Sequence, residues 1–295
     1  MIVMLYTIVR PTSTFMSAGT ITVVCTTSII ADTVKQIGHD RVSIYTLMGP
    51  GVDPHTYRAK ESDVHRIAQA DVIFYNGLHL EGKMAHMFQQ LATRQRVIAI
   101  ADALADDDRM MTSQEGVYDP HLWHNVRLWI KVANCMCQTL SAIDPEHAAE
   151  YAAHATEYIH QLEDLDTWVR RSIEKIEPSS RILITAHDAF GYFGNEYGMR
   201  VEGLQGISTD AEISVYDITS LTDIIITNRI KAIFVESSIP KKSLIAVQHA
   251  VRARNWEVSL GDELYSDALG DPATDAGTYL GMIRHNVTSI VRGLG

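Results

Sequence analysis

Between Asp144 and Pro178 the apolar residues Tyr151, Ala155, Tyr158, Ile159, Leu162, Leu165, Trp168, Val169, Ile173 and Ile176 recur at intervals of three and four. That is the period of a helix burying one face. Asp144 suits the cap, Pro145 the first turn, and Glu146 and Glu150 the positive end; Pro178 marks the stop. A helix of about thirty residues rises roughly 45 Å, more than one layer of a small domain. The pattern predicts a strut that divides the chain, with a leader over residues 1–19, an N-terminal lobe over 20–143, the linking helix over 144–178 and a C-terminal lobe over 179–295. The alternative is two ordinary helices with a break near Ala152 or His154.

On either side of the strut the rhythm alternates between short β-branched runs and helical stretches. Ile21 to Thr26 reads as a strand, with Ser28 as the cap of the helix running to Gly38. Val42 to Met48, Asp71 to Tyr75 and Arg96 to Ile100 read as strands, with helices over Lys60 to Gln69 and Glu81 to Ala92. After the strut, strands are predicted at Arg181 to Thr185, Met199 to Gly206, Ala232 to Glu236 and Glu257 to Leu260. The helices between and after them run over Val215 to Asn228, from Pro240, and over Gly277 to Val291. This predicts an α/β fold: two α/β lobes with parallel sheets joined by a single long helix. Ligands of such sheets bind beyond the carboxyl ends of strands, which places a site in the interlobe cleft. No P-loop or GxGxxG occurs, so a nucleotide has no support.

Charge narrows the partners. The chain carries 36 acidic residues against 25 Lys and Arg, a net charge of −11. Such a surface repels nucleic acid and anionic membrane and attracts cations. The three cysteines, Cys25, Cys135 and Cys137, form neither a disulfide framework nor a zinc-finger spacing. Met1 to Val9 is apolar but too short to span a bilayer, and small residues follow near Gly19. It reads either as a secretory signal without a basic start or as a disordered or misassigned leader. Cys25 lies inside the first strand, so lipid attachment through it would destroy that strand.

Four polar residues fall where loops should meet. His55 ends the loop Gly49-Pro50-Gly51-Val52-Asp53-Pro54, and His121 follows Asp119-Pro120. His187 ends the first strand of the second half, and Asp267 follows its last clear strand. Three imidazoles and a carboxylate suit a borderline divalent ion such as zinc or manganese. Any one of the thirteen histidines taken alone is more readily a surface or hydrogen-bonded residue. His124 could face the same way as His121 but sits inside a helix start. Asp188 could cap the next helix, and Glu236 could line the cleft or orient a ligand. Ala101 to Tyr118 is acidic, free of histidine and expected to be a surface loop.

Asp53-Pro54-His55, Asn76-Gly77-Leu78-His79-Leu80-Glu81 and Asp119-Pro120-His121-Leu122-Trp123 resemble the zinc/manganese solute-binding proteins of bacterial ABC importers. So do Thr185-Ala186-His187-Asp188-Ala189-Phe190-Gly191-Tyr192-Phe193, Leu204-Gln205-Gly206-Ile207-Ser208, Phe234-Val235-Glu236-Ser237 and the Asp267 loop. The resemblance covers about residues 20 to 292. It implies metal ligands at His55, His121, His187 and Asp267, and one zinc or manganese ion per chain as transported cargo, with iron a further candidate. It also implies a monomer in the periplasm, or tethered outside the cytoplasm by its leader. Such a protein would deliver to an ABC permease in the inner membrane, powered by a separate ATPase, and would catalyse nothing. His187 stands where many manganese receptors of the family carry Glu, which leans toward zinc. The short loop without histidine departs from many zinc specialists, which leans the other way. The rival readings are a surface adhesin of the same fold and, behind it, a zinc hydrolase using Asp188 or Glu236 as base. Asp267, with Gly270 nearby to free its loop, is the ligand expected to let go first.

Overall fold

The computed structural model describes residues 19–112 and 116–295. The leader expected over 1–19 lies, but for its last residue, outside them, as do residues 113–115 of the acidic loop. The first half forms β1 (Ile21–Thr27), α1 (Ser28–Gly38), β2 (Val42–Met48), α2 (Glu61–Gln69), β3 (Val72–Tyr75), α3 (Ala85–Leu91) and β4 (Val97–Ala99). Its sheet is parallel throughout, in the order β2-β1-β3-β4. The central strand β1 is buried along nearly its whole length, and its residues are β-branched apart from Cys25. Cys25 is fully buried there.

Two long helices follow, α4 (Val126–Ile143) and α5 (Ala148–Ile173). The 26 residues of α5 are continuous, so no break occurs at Ala152 or His154. The helix is nonetheless shorter than the periodicity predicts, about 39 Å. Pro145–His147 forms a tight 3-10 turn before it, and the chain turns away before a second such turn at Pro178–Ser180. Asp144 precedes the 3-10 turn rather than the helix, and its side chain caps neither. Its carboxylate accepts from Tyr151 Oη at 2.8 Å and lies 2.8 Å from His147 Nδ1. The buried face of α5 carries Tyr151, Ala155, Tyr158, Leu162, Leu165, Val169 and Ile173, the predicted stripe.

The second half forms β5 (Ile182–His187), α6 (Gly191–Tyr197), β6 (Arg200–Gln205), α7 (Val215–Thr227), β7 (Ala232–Ile233), α8 (Lys242–Ala253), β8 (Ser259–Leu260) and α9 (Tyr279–Leu294). The pairs β5–β6 and β7–β8 are parallel, and Phe234 N donates to Ile184 O at 2.9 Å between them. The fold is therefore two α/β lobes with parallel sheets, linked by long helices.

One hydrophobic core runs through both halves. Val23, Ile29 and Trp129 from the first half share it with Leu162 and Val169 of α5 and with Phe190, Tyr279 and Ile283 from the second. Trp129 stacks on Tyr279 at 5.3 Å. Tyr279 N donates to Asp32 Oδ2 at 2.8 Å, and its hydroxyl donates to Trp123 O at 2.7 Å. The lobes are thus fastened behind the cleft by packing as well as by the helix. Among the described residues, no helix is long and apolar enough to cross a membrane.

Candidate metal centre

The four residues singled out in the sequence meet in space. One potential ligand atom from each of His55, His121, His187 and Asp267 lies within 4.8 Å of the others, and all four residues are buried. The three imidazole centroids are 5.2–5.6 Å apart. Nε2 of His55 and Nε2 of His121 face each other at 3.2 Å. Asp267 Oδ1 is 3.6 Å from His121 Nε2, and its Oδ2 is 3.5 Å from His187 Nε2. His187 Nε2 and Asp267 Oδ1 are buried without a hydrogen-bond partner. Unpaired polar atoms at such depth are costly, and a shared cation satisfies both.

Local structure explains each placement. His187 is the last residue of β5, in register with Gln205 of β6. Glu236 fixes it twice: Oε1 accepts from His187 N at 2.9 Å and Oε2 from Nδ1 at 2.6 Å. With Nδ1 donating, Nε2 is the atom that faces the cluster, and it offers a lone pair to an ion once its own proton has left. Asp119 does the same for His121, its Oδ1 accepting from the backbone N at 2.9 Å and from Nδ1 at 2.7 Å. Gly191 makes room for this carboxylate, since a Cβ there would lie 2.7 Å from Asp119 Oδ2. The Asn76–Glu81 motif supports the same loop. Asn76 Nδ2 donates to Pro120 O at 2.9 Å, while the buried carboxylate of Glu81 accepts from Asn76 N, Gly77 N and Thr26 Oγ1.

His55 is held differently. Asp53 Oδ1 accepts from its backbone N at 2.9 Å. No carboxylate among the described residues braces its Nδ1. Asp267 is anchored through its neighbour: Trp123 Nε1 donates to Ser266 O at 2.7 Å, and His124 Nε2 to the same oxygen at 3.0 Å. Leu269 N donates to Ser28 Oγ at 2.9 Å. The loop that bears Asp267 is therefore tied to the first lobe.

Electrostatics separate the ligands. Burial disfavours a charged His187, but the carboxylates of Glu236 and Asp267 outweigh it and hold the imidazole well above its ordinary value. Burial opposes ionisation of Asp267 too, yet the nearby charge of His187, followed by that of His121, keeps its carboxyl below the usual range. For His55 burial wins over the attraction of Asp267, and its ring is pushed down to about 3.

Several expectations need correction. Ser28 does not cap α1; Thr27 Oγ1 accepts from Ile30 N, and Ser28 serves the Asp267 loop instead. Asp188 does not cap α6, which begins without a side-chain cap. It is half-buried near Asp119, and desolvation followed by that charge raises its carboxyl. Gly270 is not there for freedom: a Cβ would meet Ala276 Cβ at 2.8 Å and Tyr265 at 2.9 Å, so close packing requires it. Glu236 orients a ligand, as anticipated. The hold of Asp53 and Asp119 on the backbone of the histidines that follow them is a role the sequence analysis does not assign. The available signal was the spacing Asp-x-His, in which an aspartate accepts from the N–H two residues on.

Two α/β lobes closing on a buried cluster of three histidines and one aspartate define a cation-binding receptor. The family model described as "Zinc-uptake complex component A periplasmic" matches residues 23–293, and the chain belongs to that family. It is similar to the manganese-binding lipoprotein MntA of Bacillus subtilis, 43% identical over 272 residues that cover 92% of this chain and 89% of that protein. It is equally similar in identity, 43%, to the zinc-binding protein TroA of Treponema pallidum, over 92% of this chain and 88% of that one. The solved structure of the treponemal protein superposes with a TM-score of 0.92, covering 94% of this chain and all of that one. The Fe(III)-bound YtgA of Chlamydia trachomatis superposes at 0.84 with 29% identity, covering 94% and 98%. The family comprises solute-binding transport proteins, which removes the hydrolase reading. Membership implies an ABC transport system with a membrane permease and an ATPase, and an extracytoplasmic location.

Proposed function

We propose that the protein captures one divalent transition-metal ion, zinc or manganese, on His55, His121, His187 and Asp267, and hands it to the permease of an ABC importer. The observation that carries this reading is the convergence of four buried donors, two with unpaired atoms. Three nitrogens and a carboxylate favour zinc over manganese by intrinsic affinity, so the ion carried in the cell depends on supply as well as on the site. Two similar proteins are named as manganese-binding and zinc-binding and a third is Fe(III)-bound in its structure, which fits a donor set that does not exclude by softness alone. The protein acts as a monomer outside the cytoplasm, with the ATPase a separate chain across the inner membrane. The test is competition for the site among zinc, manganese and iron at buffered free-metal concentrations. One ion per chain, lost when His187 and Asp267 are both changed to Ala, supports the reading. Metal retained by that variant at parental affinity overturns it.

A further inference from the structure

The four donors are not equally enclosed. His121 and His187 are 0% exposed and Asp267 1%, whereas His55 is 5% exposed and nearest to solvent. Behind Asp267 the next residues, Ala268 and Leu269, are buried, and the Ser266 carbonyl is clamped by two rings from the first lobe. Beside His55 the chain is a glycine-proline loop, and what holds it is Asp53. That one carboxylate accepts from His55 N, from Thr56 Oγ1 at 3.1 Å and, across the cleft, from Thr209 Oγ1 at 2.7 Å. The adjacent Asp210 accepts from Lys83 Nζ of the first lobe at 2.6 Å. Gln205 steadies the second-lobe loop by donating to Ala211 O at 2.8 Å, and Gln205 is the register partner of His187.

We propose that Asp53 is a positioning residue which, together with Thr209 and the Lys83–Asp210 pair, forms a latch across the cleft over His55, and that the ion enters and leaves past His55. This rests on the metal-receptor reading given above. When the lobes meet, the hydroxyl of Thr209 completes the shell of Asp53. That carboxylate holds the backbone N–H of His55 and so fixes the direction of the ring. When the latch opens, His55 is the ligand free to swing, because its ring lacks the carboxylate brace that pins His121 and His187. The hydrogen bond to a charged carboxylate carries most of the hold, since the Lys83–Asp210 pair is exposed and screened.

The experiment is stopped-flow release of zinc into a chromophoric chelator, with association rates and equilibrium affinity measured on the same proteins. Thr209→Val keeps the shape and removes the hydroxyl. It should speed release about tenfold and association by a similar factor, so that Kd moves by less than about threefold. Thr209→Ser should restore the parental rates. Lys83→Met should speed release about twofold, and raised salt should do the same to the parent but not to that variant. Ser238→Ala is the control on the other side, because Ser238 Oγ donates to Asp267 Oδ2 at 3.2 Å. Parental release from Thr209→Val overturns the latch, and so does a larger acceleration from Ser238→Ala than from Thr209→Val. A parent that binds no zinc would instead overturn the receptor reading, so the two failures are distinct.

Discussion

Asp53-Pro54-His55 and Asp119-Pro120-His121 are the same three residues in two settings. In both, the aspartate accepts from the histidine N–H at 2.9 Å, and proline fixes the turn between them. Beyond that they diverge. Asp119 is buried against Gly191, and its free direction is back onto the His121 ring. Asp53 lies at the open side of the cleft and spends its second oxygen on Thr56 and Thr209. One tripeptide makes a fixed ligand and the other a hinged one. The motif sets the backbone, and the surroundings decide whether the carboxylate also governs the ring. A receptor needs both kinds, because a site closed on every side would bind without releasing.

The comparison is broken most forcefully by removing a ring. His121→Ala should weaken zinc binding by more than about 100-fold, beyond the usual effect of losing an outer partner. Competition with a chelator of known affinity measures this, and a loss of tenfold or less would contradict a ligand role. Next comes the brace. Asp119→Asn should cost about 10- to 100-fold in affinity, because an amide no longer enforces the Nδ1–H tautomer of His121. Asp53→Asn should cost under about threefold at equilibrium, since its ring has no such brace to lose. Equal losses in the two variants would erase the distinction between the loops.

Proton competition sharpens the same contrast. His187, held well above its ordinary value, carries a proton near neutrality that the ion must displace; His55, pushed down to about 3, carries none. Binding should therefore tighten as pH rises, by about tenfold per unit while one proton is displaced. The loss on acidification should begin above the ordinary histidine value of about 6.5. Calorimetry in two buffers of different ionisation enthalpy should report about one proton released per ion near neutrality. Release of none would mean that His187 is neutral in the free protein.

Much of this was legible in the residue order, for reasons that differ by element. The long helix declared itself because its stripe faces one core from end to end, from Tyr151 to Ile173. Its ends did not, because the prolines at 145 and 178 start 3-10 turns rather than capping the helix itself. The parallel sheets could be read from β-branched runs separated by helical periods. The ligands could be read only together, since each histidine alone has an ordinary explanation. The anchoring of Asp267 was hidden: Trp123 and His124 reach Ser266 across 143 and 142 positions of sequence. Nothing local in the chain announces such a contact. The same holds for Gly270, where a residue taken for freedom at a loop turns out to be a site of close packing.

The central claim is that four side chains, two from each half of the chain, hold one ion. Native mass spectrometry after dialysis against zinc-buffered solution tests it most directly, on the parent and on the variant with His55, His121, His187 and Asp267 all replaced by Ala. The account predicts one zinc per parent chain and none on the folded variant. Two or more tightly held ions on the parent, or one retained by the variant, would contradict it.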